Sequence, residues 1–405
     1  MAERANIIIV GGGIMGASLA HALAGQGEHD IVLLERSTLA SGASGKTGAL
    51  LRLHYSNEPE ARLAQLGHEI YSNWNDVIGG DCGFVRSGLV VTIETRGECA
   101  RNVERMERNI AMQNHIGIRS ELITARRLQE LQPFLNVDDL EFAAYEPDSG
   151  YVDAVAATHS MAAAARARGV KISEGCLVTG LRLAGDRVAG VDTANGAIDA
   201  EIVVLAAGPW TATLLAPLGI ETPIEALRVQ VAILVRPAEL PAQGIAASVD
   251  TVAGVFYRDW GPYRTMVGVG GGEFHDVVDA DAWDPRSDLG FPAIATEHLS
   301  RRIPAMRDAA FIAGHAGLYD MTPDGHPIIG RVPGPDGLYL AAGFSGAGFK
   351  KGPAVGRCLA ELIRDGHSQT VDLAPFALDR FATDAWRRPW SEHEYILSSD
   401  FGHGF

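Results

Sequence analysis

The chain has 405 residues, enough at roughly 150 residues per domain for two or three domains. Hydrophobic residues make up 47% and charged residues 21%, which excludes a disordered chain, and no apolar run approaches the ~20 residues of a membrane-spanning helix. The formal net charge of −16 disfavours nucleic acid and anionic membrane surfaces as partners, since both need a basic face.

The first element is a short β-branched run, Ile7–Val10, followed by Gly11-Gly12-Gly13-Ile14-Met15-Gly16 and an alanine-rich helical pattern to about Gly25. A second apolar run, Ile31–Leu34, ends at Glu35, 19 residues after Gly16. This GxGxxG therefore follows a strand, opens a helix and has an acidic residue at the ribose distance. Gly11 permits the tight turn, Gly13 lets the backbone approach a pyrophosphate, and Gly16 lets the helix pack on the strand. The helix N-terminus supplies donors and partial positive charge. Glu35, with Arg36 beside it, would accept from ribose hydroxyls. The fingerprint predicts a dinucleotide site without distinguishing NAD from FAD. The next segment, Leu39–Arg52 (LASGASGKTGALLR), is a loop of small residues that either lies against an extended cofactor or is a plain flexible connection.

A polar helical segment follows near Glu98–Ile116, and after Gly150-Tyr151-Val152-Asp153 an alanine-rich helix runs to about Gly169. Strands at Gly175–Leu183, Arg187–Thr193 and Glu201–Leu205 come next, and the last enters Ala206-Ala207-Gly208-Pro209-Trp210. This reads as a return to the nucleotide domain. The stretch Ile224–Gly272 is strand-rich, and Pro285–Pro304 holds a helix. Near the end come the turn Thr322-Pro323-Asp324-Gly325-His326-Pro327, a strand at Gly337–Ala342 and the junction Gly343–Pro353, whose unpaired N–H groups can face an anion. His326 reads as a solvent-facing turn residue. Residues 1–84, 146–222 and 312–390 are expected to form a discontinuous nucleotide domain, 85–145 and 223–311 an inserted substrate domain, and 391–405 a tail. The four cysteines form no CxxC pair, so free thiols, no metal site and, without an export signal, a cytoplasmic chain are expected. Only four of the 34 basic side chains are lysines, and Lys46, Lys350 and Lys351 all lie in glycine-rich segments.

In order along the chain, IIIVGGGIMG…LLE, GASGKTGALLR, VVLAAGPW, TPDGHPIIG and GFSGAGFKKGPAVG resemble the D-amino-acid-oxidase superfamily of flavoproteins. Within it, the likeness is to the sarcosine oxidase, dimethylglycine dehydrogenase and glycine oxidase branch, and it covers essentially the whole chain. The resemblance implies an α/β plus antiparallel β fold: a Rossmann-like (GR2-type) FAD-binding domain with an inserted, mainly antiparallel substrate domain. It implies FAD, held first by Gly11, Gly13, Ile14, Met15, Gly16, Glu35 and Arg36. The loop Ser44, Gly45, Lys46, Thr47, Gly48, Ala49 and Leu50 follows, then Val178, Ala207, Gly208 and Trp210, and finally Gly346, Ala347, Gly348, Phe349 and Lys350. The implied reaction is oxidation of the C–N bond of an amino or N-alkylamino acid by hydride transfer to flavin N5, giving an imine that hydrolyses. The electron acceptor is O2 or another acceptor. The chain acts by itself, as an oligomer, or as the flavoprotein subunit of a multisubunit sarcosine- or opine-oxidising complex.

The arginine of GALLRLHY, Arg52, matches the family residue that binds substrate carboxylate, and Lys350 matches the second cation. A bidentate grip and a point charge would act together. His54 and Tyr55 either line the pocket or pack. Tyr257, Trp260 and Tyr263 lie where the family builds the ceiling of its pocket. Arg52, Lys350, Tyr257 and His54 are therefore the candidates for contact with substrate. Three departures stand out. Gly317 occupies the position of the cysteine that tethers flavin in monomeric sarcosine oxidases, so the FAD is expected to be non-covalent. Ser44-Gly45-Lys46 replaces a histidine-bearing stretch. In a loose alignment, Met266 and Gly270 match the lysine and histidine over the flavin, which argues against a simple monomeric sarcosine oxidase.

Overall fold

Ile7–Val10 and Ile31–Leu34 are buried along their whole length, the pattern of parallel strands covered on both faces. They pair with each other, and the parallel sheet continues to Ile202–Leu205 and Leu338–Ala342 on one side and to Lys171–Ser173 on the other. Ile328–Arg331 closes one edge in antiparallel fashion. The helices Ile14–Gly25, Ala154–Ala167 and Gly352–Asp365 pack on one face of this sheet. A small sheet containing Val178–Ala184, Arg187–Thr193 and Gly196–Asp199 covers the other. The computed structural model describes residues 3–270, 276–388 and 390, so the expected 391–405 tail lies outside the described residues.

Two glycines make the first strand–helix turn possible. Gly11 has φ of +115°, and a Cβ there would lie 2.3 Å from the Ala206 carbonyl oxygen. A Cβ on Gly16 would lie 2.0 Å from the carbonyl oxygen of Gly11. The helix can approach the strand this closely only without side chains at these positions.

The second layer is a sheet of Leu89–Thr92, Glu121–Thr124, Phe142–Glu146, Glu225–Val235, Ala247–Asp250, Val255–Asp259, Arg264–Val269 and Asp276–Val277. It is mainly antiparallel; Ala247–Asp250 and Leu89–Thr92 run parallel. Ala310–Met321 pairs with Glu225–Val235 over nearly its whole length. The division expected at 312 therefore falls inside a strand, and by pairing the second layer runs on to Met321. The helix Phe291–Arg302 buries the outer face of this sheet, and the inner face turns towards the nucleotide-binding layer. Among the described residues no helix is long and apolar enough to cross a membrane.

Candidate active site

A cavity of about 870 Å³ opens at the C-terminal ends of the parallel strands, where ligands bind in open α/β sheets. Its walls include Gly11–Met15, Glu35, Arg36, Ser44, Thr47, Val178, Ala207, Gly208, Trp210, Gly346, Gly348 and Phe349. The Ile14 N–H donates to Ser44 Oγ at 2.9 Å, which docks the small-residue loop on the helix N-terminus. The Gly12 N–H donates to Glu35 Oε2 at 2.7 Å, and the Ser37 N–H to Oε1 at 2.8 Å. A carboxylate oxygen carries two lone pairs, so Oε2 retains an acceptor site for a ribose hydroxyl.

Eight residues expected in this wall are outside it: Gly48, Ala49, Leu50 and Lys350 line the smaller pocket described below, and four others act beside the wall. Gly16 and Gly45 are close-packing positions: a Cβ on Gly45 would lie 2.2 Å from the Ala40 carbonyl oxygen. The Ala347 N–H is spent on the Phe344 carbonyl at 2.8 Å. Lys46 Nζ stands 4.4 Å from the Trp283 ring centroid. Arg36 is already engaged: its guanidinium lies 4.8 Å over Trp210 and pairs with Asp281 at 2.9 Å, and Asp281 also accepts from Trp210 Nε1 at 2.8 Å.

A smaller cavity of about 40 Å³ shares Thr47, Tyr319, Gly346 and Phe349 with the large one and is otherwise lined by Gly48, Ala49, Leu50, Arg52, Val249, Phe256 and Lys350. The structure thus brings Arg52 and Lys350 to one pocket. Both are buried, and among the described residues neither has a carboxylate within ion-pair distance. The Arg52 guanidinium lies 4.5 Å over the Tyr55 ring, and Lys351 Nζ lies 4.3 Å from the same ring. Lys351 pairs with Glu60, which Asn57 caps into the first turn of helix Glu58–Ser72. Burial pushes the Glu60 carboxyl up, but Lys351 and His326 outweigh it and hold the group well below the usual carboxylate range. Burial likewise raises the Tyr55 hydroxyl, and Lys350, Lys351 and Arg52 reverse that to a net lowering.

Three expectations are corrected. His326 is buried, not solvent-facing: its Nδ1 lies 2.7 Å from Glu60 Oε2, and the Trp390 ring covers it at 3.9 Å between centroids. Tyr257 faces away from the pocket into the outer core beside Leu234, Val267 and Leu299. Strand alternation puts its neighbours Phe256 and Arg258 on the inner side instead. His54 is turned from the pocket towards Gln113, whose Nε2 lies 3.3 Å from its Nδ1; burial and then Arg52 bring the imidazole down to about 3. Of the other aromatic candidates, Trp260 stacks on Arg258 and Tyr263 is exposed.

Sequence reasoning missed Phe256, Tyr319 and Arg258. Arg258 is buried and donates from Nε to the Gly48 carbonyl at 2.6 Å, with its guanidinium 4.5 Å over Tyr151. It ties the second layer to the loop that lines both cavities. An arginine inside an apolar strand was the available signal.

A family model described as FAD dependent oxidoreductase matches residues 6–362. The chain is 29% identical over 409 residues to the mitochondrial sarcosine dehydrogenase of Homo sapiens, an alignment covering 96% of this chain and 43% of that protein. It thus spans less than half the length of that relative. It is also 29% identical to sarcosine oxidase subunit beta of Rhizobium meliloti (strain 1021), over 93% of this chain and 88% of that one. The crystal structure of L-proline dehydrogenase from P. horikoshii is similar with a TM-score of 0.84 at 28% identity, covering 94% of this chain and 99% of that chain.

Proposed function

The chain belongs to the family of FAD dependent oxidoreductases, and from that premise we propose that it oxidises the C–N bond of an amino or N-alkylamino acid. FAD fits the cradle: the glycine backbone at the helix N-terminus meets phosphate, Glu35 meets ribose, and the long cavity runs on to the pocket of Arg52 and Lys350. When bound, the flavin supplies the hydride acceptor. Gly317 offers no nucleophile to tether it, which supports a non-covalent attachment. The observation that carries the substrate class is the pair of buried, acid-free cations at the junction of the two cavities. Arg52 binds a carboxylate bidentately, Lys350 adds a second charge, and together they orient the carbon next to nitrogen. Phe256 and Tyr319 keep water from the reacting face.

Anaerobic flavin bleaching against glycine, sarcosine, proline, opines and iminodiacetate-like acids tests this reading. Arg52→Met and Lys350→Met are each expected to weaken a carboxylated substrate by about 2–5 kcal/mol while FAD content stays near wild type. Equal losses for the substrate and its uncharged amide would sink the clamp. The likeness to a sarcosine oxidase subunit beta supports a second reading, a flavoprotein subunit that works within an assembly. Bleaching by the solitary chain would count against that one. The acceptor is O2 or another oxidant. Met266, packed with Val231 and Phe256 and carrying no charge, favours slow reoxidation by air compared with a dye.

A further inference from the structure

Lys350 has chemistry that carboxylate binding alone does not use. Its side chain is buried and lines the small cavity. Arg52, Tyr55 and Glu60 face this cluster from the segments before and within helix Glu58–Ser72, Lys351 from its own segment, Glu146 from the strand Phe142–Glu146, and Tyr319 from Ala310–Met321. Three cations crowd one region, and the Glu60 charge is taken up by Lys351 and His326. The Lys350 ammonium therefore has no carboxylate in ion-pair contact, with Glu146 acting on it only from a distance, until a ligand brings one.

We propose that Lys350, besides gripping the carboxylate, accepts the ammonium proton of the amino-acid substrate. The proposal rests on the carboxylated-amine reading above. An amino acid in water is a zwitterion, and hydride can leave the carbon only when the nitrogen lone pair is free. In the step, one substrate N–H bond breaks and its electron pair stays on the substrate nitrogen. The proton forms a new N–H bond on the lone pair of neutral Lys350 Nζ. Substrate becomes an anion and Lys350 a cation, so the total charge is unchanged. The carboxylate lying between Arg52 and Lys350 supplies a counter-charge in contact, which makes the transfer favourable. In an α-amino acid the nitrogen and the nearer carboxylate oxygen are close neighbours, so a group touching one reaches the other. The proton returns to water when product leaves. Burial, and then the charges of Arg52 and Lys351 against the opposing pull of Tyr55, bring the free Lys350 amine down to about 8. A substantial neutral fraction is thus present at mildly alkaline pH.

The test uses the FAD-loaded enzyme in lightly buffered solution near pH 8.5 with an indicator dye, and acetate as a carboxylate that carries no amine. Acetate binding, followed by the flavin absorbance, is expected to take up more than half a proton per site in wild type and none in Lys350→Arg, which stays charged. In the same variant the acidic limb of the anaerobic reduction rate with sarcosine is expected to move up by more than one pH unit, with acetate affinity kept within a few-fold. Acetate that binds wild type without proton uptake would overturn the proton-acceptor role and leave the carboxylate clamp standing. Uptake that persists in Lys350→Arg would overturn it too. Failure of acetate and other small carboxylates to bind at all would remove the clamp and this proposal together. Should Lys350→Arg not load FAD, the wild-type measurement decides.

Discussion

Glu146 shows how a single buried carboxyl reports on the site. Its Oε2 accepts from the Leu53 N–H at 2.9 Å and from the Ser149 hydroxyl at 2.8 Å, fixing the backbone next to Arg52. Its Oε1 has no hydrogen-bond partner among the described residues. Burial pushes the carboxyl up to about 7, against the pull of those two donors, Arg52 and Lys350. The folded protein therefore holds this proton more tightly than the unfolded chain does. The associated stability is full below about 4.3, the ordinary glutamate value, and is lost as pH rises to about 7. Glu146→Gln keeps an acceptor for Leu53 and removes the titration. The stability difference between Glu146→Gln and wild type is expected to shift in favour of the variant by roughly 2–3 kcal/mol between about pH 4.5 and 7.5. Asp320, raised by burial to about 6, titrates in both proteins and cancels in the difference. Denaturant melts across that window check this; parallel curves would mean that Glu146 titrates as an ordinary carboxyl.

At the scale of elements, the segment around Asp281 and Trp283 behaves as a strap. It leaves the second sheet after Asp276–Val277 and crosses to the nucleotide-binding layer. Asp281 is held there by Arg36 and Trp210, and Trp283 by Lys46. Ala280, Asp281 and Trp283 all line the large cavity, so the strap forms part of its wall. The Arg36–Asp281 pair is half exposed and contributes at most ~1 kcal/mol, and the Lys46–Trp283 contact is of similar size. Replacing both, Asp281→Ala with Trp283→Ala, is expected to speed FAD dissociation roughly tenfold. Apparent KM should change little, because Arg52 and Lys350 are untouched. Fluorescence of released FAD after dilution measures the rate, and an unchanged rate would show that the strap does not gate the cleft. Nothing local in the sequence announces this strap, since its partners Arg36 and Trp210 lie far away along the chain. The glycine loop, Glu35 and the Gly343–Pro353 junction were legible because backbone sterics and helix-end donors act over a few residues. That Arg52 and Lys350 share a pocket was legible from the motifs around them. The orientation of Tyr257 was not, because an aromatic stands at both 256 and 257 and alternation alone leaves the phase open. The burial of His326 depends on Glu60 and Trp390, contacts that only the folded chain assembles.

At the scale of the whole molecule, FAD is the third component between two layers that also meet through apolar contacts, such as Leu50 with Val231 and Phe256, and through polar joints. Arg258 on Gly48 is one such joint, and the strap is another. A cavity of about 870 Å³ separates the layers elsewhere. Folding stability should therefore be linked to cofactor occupancy: a ligand that binds only the folded state at a hundredfold excess over its Kd adds about 2.7 kcal/mol. At about 2–4 °C per kcal/mol for a large domain, saturating FAD is expected to raise the melting temperature of the wild-type apoprotein by roughly 5–10 °C. Gly13→Val separates this linkage from the fold itself. Gly13 has φ of −79°, a conformation open to any residue, and a Cβ there would meet only the Ser44 side chain, its Oγ at 2.9 Å. The Ser44 hydroxyl can rotate aside at the cost of its bond from the Ile14 N–H, about 1 kcal/mol, so the variant apoprotein should melt within a few degrees of the wild-type apoprotein. Its valine side chain, however, stands where the pyrophosphate must approach the backbone. The expected outcome is an apoprotein of nearly normal stability whose melting temperature does not respond to added FAD. If Gly13→Val binds FAD stoichiometrically and shows the full thermal shift, the phosphates lie elsewhere in the cleft and the alignment of cofactor with the Glu35 end is wrong.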